Sequence, residues 1–511
     1  MRLPVLLCVA VSLCAAASPE ENRSCTDLRR FYTGKGFTLE GVPQTEISGE
    51  QLRMCPQGQT CCTSSMEERL ANLSAKETEG QIRKAGRSLQ TTLNTLRTSF
   101  RSYFTDLHGH SEGSLEQGSS LSLDESLSDF WSRLLERQFK ISANTDASLS
   151  EDYLECVAKQ QETLRPFGDV SRDMKAKVIR AYVTARSFIQ ALSISEEVVN
   201  KVLNVSLGPE CLKALMKLVY CPHCHGLSSV KPCFNYCSNV MKGCLANQAD
   251  LSPEWDNLID TMIEVVSSFS TEPSLDAVLS SIPARIYEAV HYLQENMNTF
   301  TTKVYRTCGS LEESGRGSPG LHEQKTKSSQ QTALEYRPSP TAGLRLKAQM
   351  LDLIKQLKVM HQYWVKLPVE LCKKLAAGES NQDKCWNGNT KARYLPEVMG
   401  DGLANQINNP EVELDITKPD MNIRQQIMQL KIMSSRLKNA LDGNDVDFQD
   451  ASDDISGSGS GVCSGGLCAL SRPGLYTFTP DSKPAGASAP QRSTVSLLLL
   501  LPPVTILLLQ R

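Results

Sequence analysis

"SRDMKAKVIRAYVTARSFIQAL", Ser171 to Leu192, carries apolar residues at Met174, Val178, Tyr182, Ala185, Ile189 and Leu192. Steps of three and four residues put all six on one side of a 3.6-residue helix, so the stretch predicts a helix with a single buried stripe. The spacing recurs in "NIRQQIMQLKIMSSRLKNAL" through Ile423, Ile427, Leu430 and Leu437, with Asp420 just upstream as a helix start signal. Working outward, further helices are expected over residues 66–104, 127–139, 149–164, 255–269, 275–298 and 344–365. Strand-like alternation is nearly absent, and the fold class is therefore all-α.

Two segments interrupt the pattern. Residues 108–126 are rich in Gly and Ser, and residues 309–343 are polar without an apolar period; both are expected as loops. From residue 442 the chain turns low-complexity and polar, so it divides into a helical core over 18–441 and a disordered stalk over 442–486.

Both ends read as processing signals. The apolar run "LPVLLCVAVSLCAAAS" after Arg2 is too short to span a membrane and ends in small residues, as a secretory signal peptide over 1–17 does. At the other end "VSLLLLLPPVTILLL" holds two prolines and is followed by no basic stop, which makes a poor single-pass anchor. Upstream lie a polar spacer and the small cluster "AGASA". This is the layout of a GPI-attachment signal, with Gly486 as the attachment residue, Ala485 beside it, and 487–511 as the discarded propeptide.

A net charge of −3 and 6% aromatic residues give no reason to expect a nucleic-acid partner. Sequons at Asn22, Asn72 and Asn204 suit an exported chain, Asn72 first among them. Of 18 cysteines, the signal peptide removes Cys8 and Cys14 and leaves 16, of which 14 lie between Cys25 and Cys385. Cys463 and Cys468 sit in the tail, where they either close a small loop or stay as exposed thiols. An even count in an oxidising compartment reads as seven disulfides in the core, although spacing leaves their connectivity open.

The densest stretch, "CPHCHGLSSVKPCFNYC", admits three readings: structural disulfides, a thioredoxin-like dithiol at Cys221 and Cys224, or a zinc site adding Cys233 and Cys237 with His223 and His225 available. No βαβ pattern surrounds it, and neighbouring cysteines compete for any metal. Structural disulfides are the expectation, with no metal, no cofactor and no catalytic residues.

"DASDDISGSGSGVC", Asp450 to Cys463, alternates Ser and Gly behind Asp445, Asp447, Asp450, Asp453 and Asp454. Glycosaminoglycan attachment needs accessible Ser-Gly, and nearby acids help dock a basic transferase. Ser456, Ser458 and Ser460 each precede Gly, and Ser464-Gly465 is a less regular fourth. Composition alone also allows a plain linker.

The wider chain resembles the glypicans, the GPI-anchored heparan sulfate proteoglycans. The resemblance is carried by "CPQGQTCC", "GPECLKALMKLVYCPHC", "CSNVMKGCLANQADL" and "RYLPEVMGDGLANQINNPEVELDITKPDMNIRQQIMQLKIM", and covers most of residues 25–461. It implies an elongated α-helical body with a cysteine-rich N-terminal lobe and heparan sulfate on Ser456, Ser458 and Ser460. It also implies disulfides Cys25–Cys61, Cys55–Cys221, Cys62–Cys224, Cys156–Cys308, Cys211–Cys244, Cys233–Cys385 and Cys237–Cys372.

The implied role is a non-enzymatic co-receptor on the outer leaflet of the plasma membrane, possible release into the extracellular space included. Its implied partners are heparin-binding growth factors such as fibroblast growth factors, and Wnt, Hedgehog and bone morphogenetic protein ligands. Two departures stand out: the 108–126 loop replaces a longer, aromatic-containing helical stretch, and 309–343 lacks the Arg-x-x-Arg at which some members are cut. Rival readings are an extracellular thiol oxidoreductase and an unglycanated adhesive surface protein.

Overall fold

The computed structural model describes residues 24–108, 123–142, 149–309, 340–378 and 383–444. In chain order they form α1 (Thr26–Gly34), β1 (Ile47–Ser48), β2 (Gln59–Thr60), α2 (Ser64–His108), α3 (Leu123–Ser142), α4 (Glu151–Lys159), α5 (Gln161–Leu164) and α6 (Val170–Leu203). Next come α7 (Pro209–Val219), α8 (Cys221–Cys224), α9 (Phe234–Cys244), α10 (Ala246–Ala249), α11 (Ser252–Ser268) and α12 (Leu275–Ser280). Last are α13 (Ile282–Glu295), α14 (Met297–Cys308), α15 (Pro340–Val359), α16 (Tyr363–Leu375) and α17 (Met421–Leu441). The one sheet among the described residues is the antiparallel pair β1–β2, with Ile47 opposite Thr60. The fold is all-α and stapled by disulfides.

The stripes behave as amphipathic helices require. On α6, Met174, Val178, Ala185, Ile189 and Leu192 are buried, while Tyr182 is half-buried with its ring edge-on to Phe104 at 5.3 Å. On α17, Ile423, Leu430 and Leu437 are buried and Ile427 is half-buried. The Asp420 carboxylate accepts from the Ile423 amide at 3.0 Å, satisfying one of the orphan donors of the first turn.

Three expected helices are broken. Residues 149–164 form α4 and α5, parted at Gln160, and 275–298 form α12, α13 and the start of α14, parted at Ser281 and Asn296. Residues 344–365 part between α15 and α16, where Gln362 takes a left-handed φ of 56°. Gln pays for that conformation only because its surroundings fix it. Two residues on, Trp364 is fully buried edge-on to Trp255 at 6.0 Å.

The described residues divide into two compact units. The first comprises residues up to Gln90 with Val198–Trp255 and Gln362–Met428; the second comprises Thr91–Glu197, Asp256–His361 and residues from Gln429 onward. The first holds six disulfides: Cys25–Cys61, Cys55–Cys221, Cys62–Cys224, Cys211–Cys244, Cys233–Cys385 and Cys237–Cys372. The second holds Cys156–Cys308 and an aromatic core in which the Phe100 ring lies 4.9 Å from Phe188 and 5.3 Å from Phe269.

A long irregular stretch of the first unit, from Asn387 to Asp420, is held by side chains rather than by a ladder. Asn239, fully buried on α9, donates to the Tyr394 hydroxyl (3.0 Å) and the Glu397 carbonyl (2.8 Å) and accepts from the Met399 amide (2.8 Å). Farther along, a Cβ on Gly243 would fall 2.6 Å from the Val412 Cβ, so the close approach of this stretch to α9 requires glycine there.

Candidate functional site

Cys-Pro-His-Cys folds as the single helical turn α8, with Pro222 in the first turn, where its missing N–H costs nothing. Both of its cysteines are fully buried and each is bonded elsewhere, Cys221 to Cys55 and Cys224 to Cys62. The Cys224 carbonyl accepts from the Cys61 amide at 2.8 Å and the Thr60 hydroxyl at 3.1 Å, which ties β2 to the turn. On the far side of Cys55, the Glu67 carboxylate, 2% exposed, accepts from the amides of Arg53 (2.9 Å), Met54 (2.8 Å) and Cys55 (2.6 Å). The buried Cys55 amide and its two half-buried or exposed neighbours thereby share one carboxylate acceptor.

This geometry removes the dithiol chemistry. A redox cycle would need Cys221 and Cys224 to bond each other, and both sulfurs are committed to partners far away in sequence. The zinc reading loses its thiolates in the same way, because Cys233 and Cys237 are bonded to Cys385 and Cys372. His223 lies against Phe31, with ring centroids 4.3 Å apart, and His225 lies over Trp386 at 5.9 Å. Burial holds both imidazoles below their ordinary pKa, and Lys35 adds to the effect at His223. Lys35 sits over the rings of Phe31 and Tyr220 and pairs with Glu77 at 2.8 Å; Glu77 also accepts from the Tyr220 hydroxyl. The lobe is a packed staple rather than a reactive centre.

Of the attachment positions, two are described. Asn72 is exposed on the third turn of α2, while Ser74 of its sequon is buried and donates to the Ala71 carbonyl at 2.7 Å. Asn204 follows directly on α6, and both it and Ser206 are exposed. Ser456, Ser458, Ser460, Ser464, Asn22, Gly486, Cys463 and Cys468 lie outside the described residues, as do most of the 108–126 and 309–343 loops. No helix among the described residues is long and apolar enough to cross a membrane. Sequence reasoning missed Glu67 and Asn239, since neither stands in a motif and each acts on backbone brought to it by folding.

The glypican family model matches residues 5–118 and 116–496. The chain is a glypican. Its two matched stretches overlap at residues 116–118, within the segment expected as a loop. Glypican-1 of Gallus gallus is 50% identical over 494 residues, covering 91% of this chain and 88% of that protein. The crystal structure of C-terminally truncated glypican-1 superposes with a TM-score of 0.71 at 46% identity, covering 83% of this chain and all of that one. A structure of Dally-like protein in complex with O-palmitoleoyl serine superposes at 0.61 with 27% identity, covering 83% of this chain and 99% of that one. As a glypican the chain is a cell-surface proteoglycan.

Proposed function

We propose that this glypican is a non-enzymatic co-receptor that carries heparan sulfate on Ser456, Ser458 and Ser460 and presents heparin-binding growth factors and morphogens to signalling receptors. The observation that carries the reading is the triple Ser-Gly behind five aspartates, about fifteen residues past the last described helix of a glypican core. In this scheme residues 1–17 are removed, 18–441 form the core, 442–486 form the stalk and Gly486 takes the lipid anchor, which holds the protein on the outer leaflet. Asn72 and Asn204 are proposed as N-glycan sites on the strength of their exposure, and Asn22 on sequence alone.

The core's formal charge is small, so attraction to basic ligands such as fibroblast growth factors, Wnt, Hedgehog and bone morphogenetic proteins falls to the sulfated chains. Binding through counterion release weakens with salt, as for any polyanion. Anchoring raises the local ligand concentration at the membrane without any new contact.

Electrophoresis with and without heparinase tests the attachment sites. The expected result is a high-mass smear that collapses to a core band on digestion and is absent from Ser456→Ala/Ser458→Ala/Ser460→Ala. A sharp core band in every lane, with surface export confirmed, would leave the stalk a plain tether and overturn the reading.

A further inference from the structure

Many exposed or half-buried cations on these helices stand one turn from an acid. Arg83 pairs with Glu79 at 3.3 Å, Lys159 with Glu155 at 2.8 Å, Lys177 with Asp173 at 2.8 Å and Lys373 with Glu370 at 2.6 Å. Helix α17 is built differently: it holds four basic and no acidic residues. Arg424, Lys431 and Lys438 are all exposed and lie seven residues apart. Seven residues are close to two turns, so each cation lies within ~20° of the previous one and ~10 Å along the axis, giving a straight row ~21 Å long.

Met421, Met428, Ser435 and Asn439 fill the same face, all exposed. Among the described residues no carboxylate lies within ion-pair distance of any of the three cations. Asp420 is engaged at the helix start, and Asp442, one turn beyond Lys438, forms no ion pair with it.

We propose that this row is a binding site for a sulfated glycosaminoglycan, occupied by the chain that the protein itself carries on its stalk. The identity of that occupant rests on the attachment sites proposed above. A linear polyanion with regularly repeated charge matches a straight row of evenly spaced cations, whereas a compact anion would reach one of them. Asn444 lies three residues past the end of α17, and the twelve steps from it to Ser456 span at most ~42 Å even fully extended, so the first sugar cannot start farther than about that from Asn444. Tethering makes the encounter intramolecular and its effective concentration high.

The test uses the full chain in detergent, bearing Ser456→Ala/Ser458→Ala/Ser460→Ala, titrated with size-fractionated heparin. With a slope of about 0.7 per cation, a fourfold rise in salt should weaken binding about twentyfold, and most of that dependence should vanish in Arg424→Gln/Lys431→Gln/Lys438→Gln. Gln preserves helix propensity, and circular dichroism checks that the fold is retained. Lys347→Gln/Lys355→Gln/Lys358→Gln on α15 removes the same number of exposed charges and should change affinity by no more than about twofold.

The glycanated parent should bind added heparin more weakly than the serine variant, and the difference should disappear when the row is neutralised. Equal losses in the α15 and α17 variants would mean diffuse attraction and overturn the site. Equal heparin binding by glycanated and glycan-free protein would overturn self-occupation. Capture of phosphatidylserine–phosphatidylcholine vesicles by detergent-free protein with its lipid anchor cleaved off, lost with the row, would assign the face to an anionic membrane surface and overturn the proposal. A serine variant that still runs as a heparinase-sensitive smear would sink the attachment sites alone, and the titration repeated after heparinase would then judge the row.

Discussion

Glu67 shows what a single buried carboxylate does here. Its two oxygens accept three backbone amides, and Glu67→Gln replaces one of those acceptors with a donor facing donors. The loss should be about 2–3 kcal/mol, seen as a lower melting temperature with the disulfides kept oxidised; an unchanged midpoint would show that the three amides find other acceptors. His223 and His225 make a second prediction. Burial lowers both folded-state values, so the stability they contribute is present above the ordinary histidine range and is lost as pH falls from about 6.5 towards those lowered values. Thermal melts should therefore shift downward on acidification across this window, and His223→Phe, which keeps a ring against Phe31, should flatten part of that shift. A pH-independent midpoint between 6.5 and 5 would count against it.

Among elements, the irregular stretch from Asn387 to Asp420 is held by several side chains, and the Asn239 amide makes three of the bonds around Tyr394 to Met399. Asn239→Ala leaves the Met399 amide and the Glu397 carbonyl without this partner, while the Tyr394 hydroxyl keeps its bond to Glu411, at a cost of about 1–3 kcal/mol for each group that water cannot reach. Hydrogen exchange should quicken across residues 393–412 while α7 and α9 stay protected; uniform acceleration would mean that the stretch is not separately held. The helices themselves were legible because their stripes repeat: α6 and α17 begin, run and bury as their spacing predicts. Their breaks were not. The exception is Ser281, where Pro283 in the first turn of α13 is a local start signal; Gln160, Asn296 and Gln362 have no Gly or Pro beside them, and next to Gln362 the buried packing of Trp364 against Trp255 outweighs local propensity.

For the whole molecule, the disulfides are unevenly shared, six in the first unit and one in the second. Each native bond in a secreted domain contributes about 2–5 kcal/mol. On graded reduction, amides in residues 24–90 and 198–255 should lose exchange protection more steeply than those in 150–197 and 256–304. Equal loss in both sets would show that the second unit depends on its single bond as heavily as the first depends on six.

The sequence by itself determined the helical class, the seven-bond cysteine count, the family, and the expectation of an exported chain with Ser-Gly sites near its end, because periodicity, composition and short signals are local properties of the chain. Only the tertiary structure decided which cysteines meet, and with that the fate of the Cys-Pro-His-Cys motif. Local spacing permits Cys221 and Cys224 to face each other, but the fold bonds them to Cys55 and Cys62 instead and buries all four. The cationic row on α17 belongs to both levels: its seven-residue spacing is written in the sequence, while its exposure and lack of a described acidic partner depend on which faces the core left to solvent.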